Sequence, residues 1–179
     1  MKWITNKELK ISKGEWENTD LLNKKCYVGF KVDTNNGVVI TCLFKNKNTG
    51  WRLISKRRSE TVLGDVISDI ENKYKVQRWL IDSWDKAVFT KDLLSTKRDG
   101  KTSYIPQTIN MISPSMKQIS ELFKREKISH NLTKEQLKEF KGVKVLTDAN
   151  GNIRPSRTTS TGTIATPASL IIAMAGAMQ

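Results

Sequence analysis

Three apolar segments in the first third of the chain alternate with short runs of turn residues. Segments 26–32, 38–44 and 51–57 are rich in Val, Ile, Phe and Trp, which favour β-strands. Segments 33–37 and 45–50 contain Asn and Gly, which tolerate the positive φ angles of tight turns. The middle segment is nearly all apolar, as in a strand that is covered on both faces. The pattern predicts three consecutive antiparallel strands.

Beyond residue 60, apolar positions at helical spacing alternate with short strand-like runs. The spacing between Val62 and Tyr74 is that of a helix, and Ser113 followed by Pro114 is typical of a helix start. Helices are predicted at 62–74, 83–96, from 113, at 133–140 and at 163–178, and strands at 76–81, 104–109 and 143–146.

The order of these elements is three antiparallel strands followed by alternating helices and strands. Such an order predicts an α/β fold with a mixed sheet and helices on both faces, the ribonuclease H-like layout. Residues 1–25 are polar around the isolated Trp3 and Trp16, and we expect a lead-in segment that packs onto a domain at 26–179.

The charge balance adds a prediction about partners. The 179 residues include 31 Lys and Arg against 18 Asp and Glu, a formal net charge of +13. A field of this sign attracts polyanions, so nucleic acid is the expected partner, and the binding would weaken steeply with salt. The alternative is a basic protein whose charge serves only solubility.

The two cysteines and the lengths of the apolar segments indicate the cellular compartment of the protein. Cys26 and Cys42 lie in strand-like runs and are expected as small buried core residues, with no disulfide framework. Together with His130 they match no zinc spacing. The N-terminus lacks a signal core, and the apolar stretch 164–178 is shorter than the roughly 20 residues of a membrane span. We therefore expect an intracellular protein that does not enter a membrane.

The second half of the chain carries several short motifs in a defined order. They are Ser113-Pro-Ser-Met-Lys117, Lys127-Ile-Ser-His130, Thr147-Asp-Ala-Asn-Gly-Asn-Ile-Arg-Pro155 and Ser160-Thr161. Together with Trp16 and the run Leu22-Asn-Lys-Lys-Cys-Tyr-Val-Gly29, they resemble the C-terminal nuclease domain of phage terminase large subunits. The phosphate-loop pattern of the family's ATPase motor does not occur in this sequence, so no ATP site is expected.

The resemblance implies a DNA nuclease whose carboxylates hold two divalent cations. Such a pair of metal ions activates a water molecule and stabilises the leaving oxygen of a phosphodiester. The family's acids on the first strand, at the end of the fourth strand and on the last helix fall here on Lys31, Asp82 and Ala165. Asp82 is the remnant catalytic and metal-binding acid, or only a helix N-cap. Asp33, on the same strand face as Lys31, is the candidate replacement, or only a turn residue.

Basic residues supply the predicted DNA contacts. Lys31 and the loop residues Arg154 and Arg157 would reach phosphates near the site that the resemblance implies. Four more cations on the third strand are expected to cluster at one edge and one end of the meander: Arg52, Lys56, Arg57 and Arg58. Alternatively, cations on an edge strand only prevent edge-to-edge pairing. With no stacking ladder or recognition helix in the sequence, backbone-directed binding of low sequence specificity is expected.

Three hypotheses about function follow from the missing acids. In the preferred one, a terminase nuclease-like domain binds double-stranded DNA or packaging partners (the small subunit or the portal) without efficient cleavage. It would act in the cytoplasm of the infected bacterial host and hold Mg²⁺ or Mn²⁺ only weakly. In the second, an active endonuclease uses a rebuilt site of Asp82, Asp33 and Asp148. In the third, an interaction module imitates the terminase domain.

Overall fold

A six-stranded mixed sheet forms the centre of the computed structural model, which describes residues 2–14, 16, 18–34, 37–48, 50–158, 160 and 162–179. The strands are β1 (Lys25–Asp33), β2 (Gly37–Asn46), β3 (Gly50–Ser59), β4 (Lys75–Asp82), β5 (Thr102–Ile105) and β6 (Ile128–His130). Their order across the sheet is β5-β4-β1-β2-β3-β6. Strands β1 to β3 form the predicted antiparallel meander, whereas β4 is parallel to β1, β5 to β4 and β6 to β3.

Six α-helices and a small hairpin complete the described part of the chain. The helices are α1 (Asn6–Ile11), α2 (Leu63–Lys73), α3 (Lys86–Phe89), α4 (Ile109–Lys124), α5 (Lys134–Gly142) and α6 (Ala165–Ala177), and the hairpin is β7 (Val145–Thr147) with β8 (Ile153–Pro155). Four residues of the predicted turns and motifs lie outside the described residues: Asn35, Asn36, Thr49 and Thr161.

Each face of the sheet has its own apolar core, as predicted for a sheet with helices on both faces. Helices α4, α5 and α6 share one core with Leu53 and Leu80, and α2 and α3 share the other with Phe30. Cys26 and Cys42 are free and buried in the second core, as expected. A hydrogen bond to Cys42, together with burial, raises the pKa of the Cys26 thiol, so this group remains protonated.

Helix α6 is apolar on all sides because it is buried between the sheet and helices α4 and α5. It crosses β1 at Gly29, where a Cβ atom would lie 2.3 Å from the Ser169 carbonyl oxygen and 2.6 Å from the Ala173 nitrogen. The missing side chain lets the helix backbone approach the strand this closely. No helix among the described residues is long and apolar enough to cross a membrane.

Two predicted boundaries were wrong around helix α4. The helix begins at Ile109, four residues before Ser113, and the preceding strand β5 ends at Ile105 rather than at 109. The Ser113 hydroxyl accepts a hydrogen bond from the Ile153 N–H (2.9 Å) instead of capping the helix. Pro114 lies inside α4, where it has no N–H to donate. A tertiary partner in β8 therefore explains the role of Ser113, although local rules would place this Ser-Pro pair at a helix start.

The predicted helix 83–96 is a series of three different turns. A 3₁₀ turn (Ser83–Asp85) comes directly after β4, α3 follows, and a π-helical turn (Thr90–Leu94) ends the segment. The first of these turns begins at the end of β4 and so adjoins the candidate site.

Aromatic side chains attach the N-terminal segment to helix α4 and to strand β6. Trp3 donates its indole N–H to the Met116 carbonyl (2.9 Å), and Trp16 donates to the Ser129 hydroxyl (3.1 Å). The buried His130 lies between the Leu9 carbonyl, 2.8 Å from Nε2, and a backbone N–H that donates to Nδ1. Burial lowers the pKa of His130, so its imidazole is neutral at pH 7 and donates from Nε2.

Replacing Gly29 by Ala tests the close contact between β1 and α6. The new methyl group would collide with helix backbone that cannot rotate away, so we expect the free energy of unfolding to fall by about 1–3 kcal/mol or more. Gly100→Ala is the matched control, because a Cβ there meets nothing within 4 Å. Urea denaturation of both variants gives the comparison, and equal stabilities would contradict the packing described here.

Candidate functional site

The carboxyl ends of β1 and β4 lie side by side, because the two strands are parallel neighbours. Lys31 lies near the end of β1, on the same face as Gly29, and Asp82 is the last residue of β4. Ala165, the first residue of α6, lines the same cleft as Lys31. The three positions predicted for metal-binding acids therefore lie at one end of the sheet.

Lys31 forms an ion cluster with two carboxylates. Its Nζ lies 2.6 Å from Asp82 Oδ2 and 3.1 Å from Asp85 Oδ2. The Asp82 side chain is 0% exposed, and its other oxygen accepts the Trp84 N–H (3.0 Å), which caps the turn after β4. The Asp85 carboxylate also accepts the Val32 N–H (3.0 Å). Asp82 is therefore both a cap and one half of a buried ion pair.

A second ionic network lies beside the first. The Arg57 guanidinium forms ion pairs with Asp33 and with Glu139, the latter at 2.7 Å. Asp33 also accepts a hydrogen bond from the Thr163 hydroxyl (2.9 Å). The remaining Glu139 oxygen accepts the Thr166 N–H (2.7 Å) in the first turn of α6, where a carboxylate stabilises the positive end of the helix dipole. The Asp33 carboxylate thus already binds the Arg57 guanidinium and the Thr163 hydroxyl.

The side chains present do not fit a two-metal centre. The first predicted acid position holds the Lys31 ammonium, and the third holds the Ala165 methyl group. Among the described residues, no group of three or more His, Cys, Asp or Glu side chains could hold a metal ion. Hard divalent cations need several oxygen ligands, and the Lys31 charge repels them from the one acid that remains.

The three acids of a rebuilt site have separate partners. Asp82 pairs with Lys31, and Asp33 pairs with Arg57. Asp148 accepts hydrogen bonds within its own hairpin turn, and those from Asn152 lower the pKa of its carboxyl group. In the part of the chain that the structure describes, these three carboxylates do not form a group that could hold a metal ion.

An open cleft of about 380 Å³ lies between the ends of the strands and the start of α6. The exposed Arg154 and Arg157 line it together with Lys31, and Trp84 forms part of its wall. Asp33 is the acid among the lining residues, and it is paired with Arg57. The free positive charge of the cleft therefore comes from the two arginines.

The remaining predicted DNA-binding residues do not share this cleft. Side chains alternate along β3, so Arg57 lies on the α6 face and the other three cations lie on the opposite face. Of those three, Arg52 lines a groove at the far end of the sheet, whereas Lys56 and Arg58 line a groove against α2. Strand β6 pairs with β3 only as far as Leu53, so the rest of β3 forms an outer edge of the sheet. The alternative role of cations on such an edge, the prevention of strand pairing, stays a prediction.

Three residues that the structure brings to this end of the sheet were not predicted from the sequence as site residues. Asp85 lies three residues after Asp82, inside the segment 83–96 that was predicted to be a helix, so the sequence indicated only an ordinary helix position. Glu139 lies in a predicted small helix, far from the last helix in sequence. Trp84 gave no signal because an isolated Trp is usually a core residue, yet here it is 78% exposed. For Asp85 and Trp84, the local signal in the sequence is the run Asp-Ser-Trp-Asp at the end of a buried strand.

The mixed sheet with helices on both faces and a cleft at the ends of β1 and β4 defines a ribonuclease H-like, nuclease-type domain. A sequence profile of the terminase large subunit endonuclease domain matches residues 46–179. The chain belongs to this family, as its motifs predicted. No curated protein sequence matches it.

Solved phage terminases share this fold. The large terminase of bacteriophage HK97 superposes with a TM-score of 0.82 at 13% identity, covering 98% of this chain and 43% of its own length. The large terminase nuclease of thermophilic phage G20c matches in a cobalt-bound form (TM-score 0.66, 14% identity, 97% and 96% covered) and in a magnesium-bound form (0.61, 13%, 97% and 96%). The chain thus spans less than half of the HK97 protein and nearly all of the G20c nuclease.

Removing the Lys31 ammonium should destabilise the fold. Lys31→Ala leaves the buried Asp82 without a cation, and we expect a loss of about 3 kcal/mol in the free energy of unfolding. Lys25→Ala, an exposed lysine of the same strand, should change it by less than about 0.5 kcal/mol. Adding Asp82→Asn to Lys31→Ala should recover part of the loss. Chemical denaturation measures all four proteins, and equal effects of the two single lysine variants would contradict the buried pair.

Proposed function

We propose that this domain binds DNA during phage DNA packaging without cutting it efficiently. The observation that carries the proposal is the Lys31 ammonium, 2.6 Å from the one retained acid of the site, Asp82. Membership of the terminase family and the shared fold support the packaging role.

Electrostatics disfavour a metal ion next to this lysine. A divalent cation bound to Asp82 would lie within about 4 Å of the ammonium, and at an effective dielectric constant of about 20 their repulsion is about 8 kcal/mol. Oxygen ligands from the first and third positions, which could offset this repulsion, are missing. Mg²⁺ or Mn²⁺ would therefore bind only weakly, unlike the cobalt and magnesium bound by the G20c nuclease.

Arg154 and Arg157 supply the contacts to DNA. Both are exposed in the cleft, and a guanidinium group binds a phosphate through two parallel hydrogen bonds. Lys31 lines the same cleft, but two carboxylates already neutralise its charge, so its contribution to phosphate binding is small. The net charge of +13 adds a long-range attraction. Such binding is directed to the backbone and weakly dependent on sequence.

The packaging context implies further partners. A domain of this family that binds without cutting would work beside other packaging proteins, the small subunit or the portal, in the cytoplasm of the infected bacterium. This part of the proposal rests on the family alone.

Restoring the missing acids should restore metal binding and cleavage. We expect the wild-type protein to leave plasmid DNA intact with Mg²⁺ or Mn²⁺, and Lys31→Asp/Ala165→Asp to nick it, because three carboxylates can again hold metal ions. Mn²⁺ should also raise the Tm of the double variant and leave that of the wild type unchanged.

The control for this experiment is Asp82→Ala in both backgrounds. It should abolish the cleavage gained by the double variant. Cleavage by the wild-type protein that disappears in Asp82→Ala would overturn the proposal and favour an active endonuclease.

Neutralising the cleft arginines should weaken duplex binding and its dependence on salt. Each lost phosphate contact reduces the slope of log K against log [salt] by about 0.9, so Arg154→Gln/Arg157→Gln should reduce it by roughly 2. Fluorescence anisotropy with a 20-base-pair duplex between about 50 and 200 mM salt measures this. Lys7→Gln/Lys10→Gln removes the same charge from α1, outside the cleft, and should leave the slope close to that of the wild type.

Two results would count against a DNA-binding cleft. Equal slopes in the two double variants would place the phosphate contacts elsewhere on the basic surface. Salt-insensitive binding to a terminase subunit or a portal, with no affinity for DNA, would favour the interaction-module hypothesis.

A further inference from the structure

Trp84 has the most exposed side chain of the described tryptophans. Trp3, Trp51 and Trp79 are buried, and Trp16 is partly buried beside the Arg52 guanidinium, whereas 78% of the Trp84 surface is exposed. Isolated apolar residues on a surface are common, so exposure alone carries no conclusion. The place and the neighbours of this indole are what single it out.

The turn that carries Trp84 is held at both ends by the ion cluster. Asp82 accepts the Trp84 N–H at 3.0 Å, and Asp85 binds both the Lys31 ammonium and the Val32 N–H. The backbone on either side of Trp84 is thereby fixed, although the indole itself is left largely in water. A fixed turn presents the indole at the cleft without the loss of entropy that a flexible loop would suffer on binding a ligand.

The cleft combines this indole with phosphate-binding groups. Trp84 lines the same cleft as Arg154, Arg157 and the Gln107 amide. Its volume of about 380 Å³ is at the lower end of the range for small-molecule sites, which suits one or two nucleotides better than the body of a duplex. An aromatic face beside cations is the arrangement that binds single-stranded nucleic acid, because the bases stack and the phosphates pair with the cations.

We propose that Trp84 stacks on an unpaired base, so that the cleft selects DNA with single-stranded or frayed nucleotides over a continuous duplex. This inference rests on the proposed DNA binding and specifies its substrate. Inside a duplex both faces of a base are covered by neighbouring bases, so Trp84 can stack only on a base that is terminal, unpaired or flipped out. The arginines bind the phosphates of the same strand.

The alternative ligand for the cleft and its exposed Trp84 is a protein surface. Tryptophan and arginine are the residues most enriched in the energetic centres of protein interfaces. The cleft favours DNA, because its free charges are both positive and its lining acid, Asp33, is already paired. Binding to a protein would show as self-association, which is one outcome of the test.

Trp84→Ala and Trp84→Phe test the stacking by fluorescence anisotropy on two labelled probes. One probe is a single-stranded 20-mer, and the other is a covalently closed circular duplex, which has neither ends nor unpaired loops. Stacking of one base corresponds to about a 5- to 150-fold change in affinity, so Trp84→Ala should weaken single-strand binding by that factor. Trp84→Phe, which keeps an aromatic face, should recover most of the affinity. Neither variant should change the salt slope, which depends on phosphate contacts.

Tyr104→Ala is the matched control for loss of an exposed aromatic ring. Tyr104 lies on β5, its ring contacts Lys86, and it does not line the cleft. This variant should bind both probes as the wild type does. Intrinsic fluorescence gives a readout independent of affinity, because single-stranded DNA should quench emission in the wild type and not in Trp84→Phe. An unchanged Tm shows that each variant folds.

The outcomes separate this inference from the proposal on which it rests. If the duplex binds in a manner that depends on Arg154 and Arg157, but Trp84→Ala leaves single-strand binding intact, the stacking inference fails and DNA binding stands. If neither probe binds the wild type, both fail. If wild-type protein self-associates in sedimentation and Trp84→Ala does not, a second copy of the chain occupies the cleft and the inference is overturned.

Discussion

The contact between the Lys31 ammonium and the Asp82 carboxylate is the interaction on which this end of the molecule depends. Asp82 has no access to water, and a buried carboxylate is tolerated only with a partner that replaces its hydration. The same ammonium reaches Asp85, which also accepts the Val32 N–H. One lysine thus joins the ends of two parallel strands and holds the turn that follows, at the position where the family resemblance expects a metal-binding acid.

A lysine in place of a metal-binding acid alters the chemistry that the cleft can perform on a phosphodiester. Metal ions carry charge that is available to a phosphate, whereas the charge of Lys31 is already neutralised by two carboxylates. Arg57 is likewise neutralised, between Asp33 and Glu139. Among the described residues that line the cleft, Arg154 and Arg157 are the cations without a carboxylate partner. A guanidinium group can bind a phosphate but does not activate a water molecule. These charges underlie the proposal that the domain binds DNA without efficient cleavage, and Trp84 adds an apolar face to the cleft.

Much of the fold could be predicted from local patterns, and the exceptions have tertiary causes. The apolar run 38–44 identified a central strand because a strand covered on both faces cannot alternate with polar residues. Ser113 was misread as a helix cap because its true partner, Ile153, lies 40 residues away. Asp82 and Ala165 lie at the predicted end of the fourth strand and in the predicted last helix, whereas Asp33, assigned to a turn, is the last residue of β1. Glu139 was not found, because only the packing of α5 against α6 brings its carboxylate to the first turn of α6.

The sequence by itself assigned Lys31, Asp82 and Ala165 to the three acid positions of the family, because matching a motif needs no coordinates, and this assignment stays a prediction. It also determined the fold, since strand and helix periodicities follow from which side chains must be buried. Only the tertiary structure decided the partners of each charge: that Lys31 neutralises Asp82 and Asp85, that Asp33 is held by Arg57, and that Trp84 faces a cleft. Ion pairing and exposure depend on distances between residues far apart in the chain, and no local pattern encodes those distances.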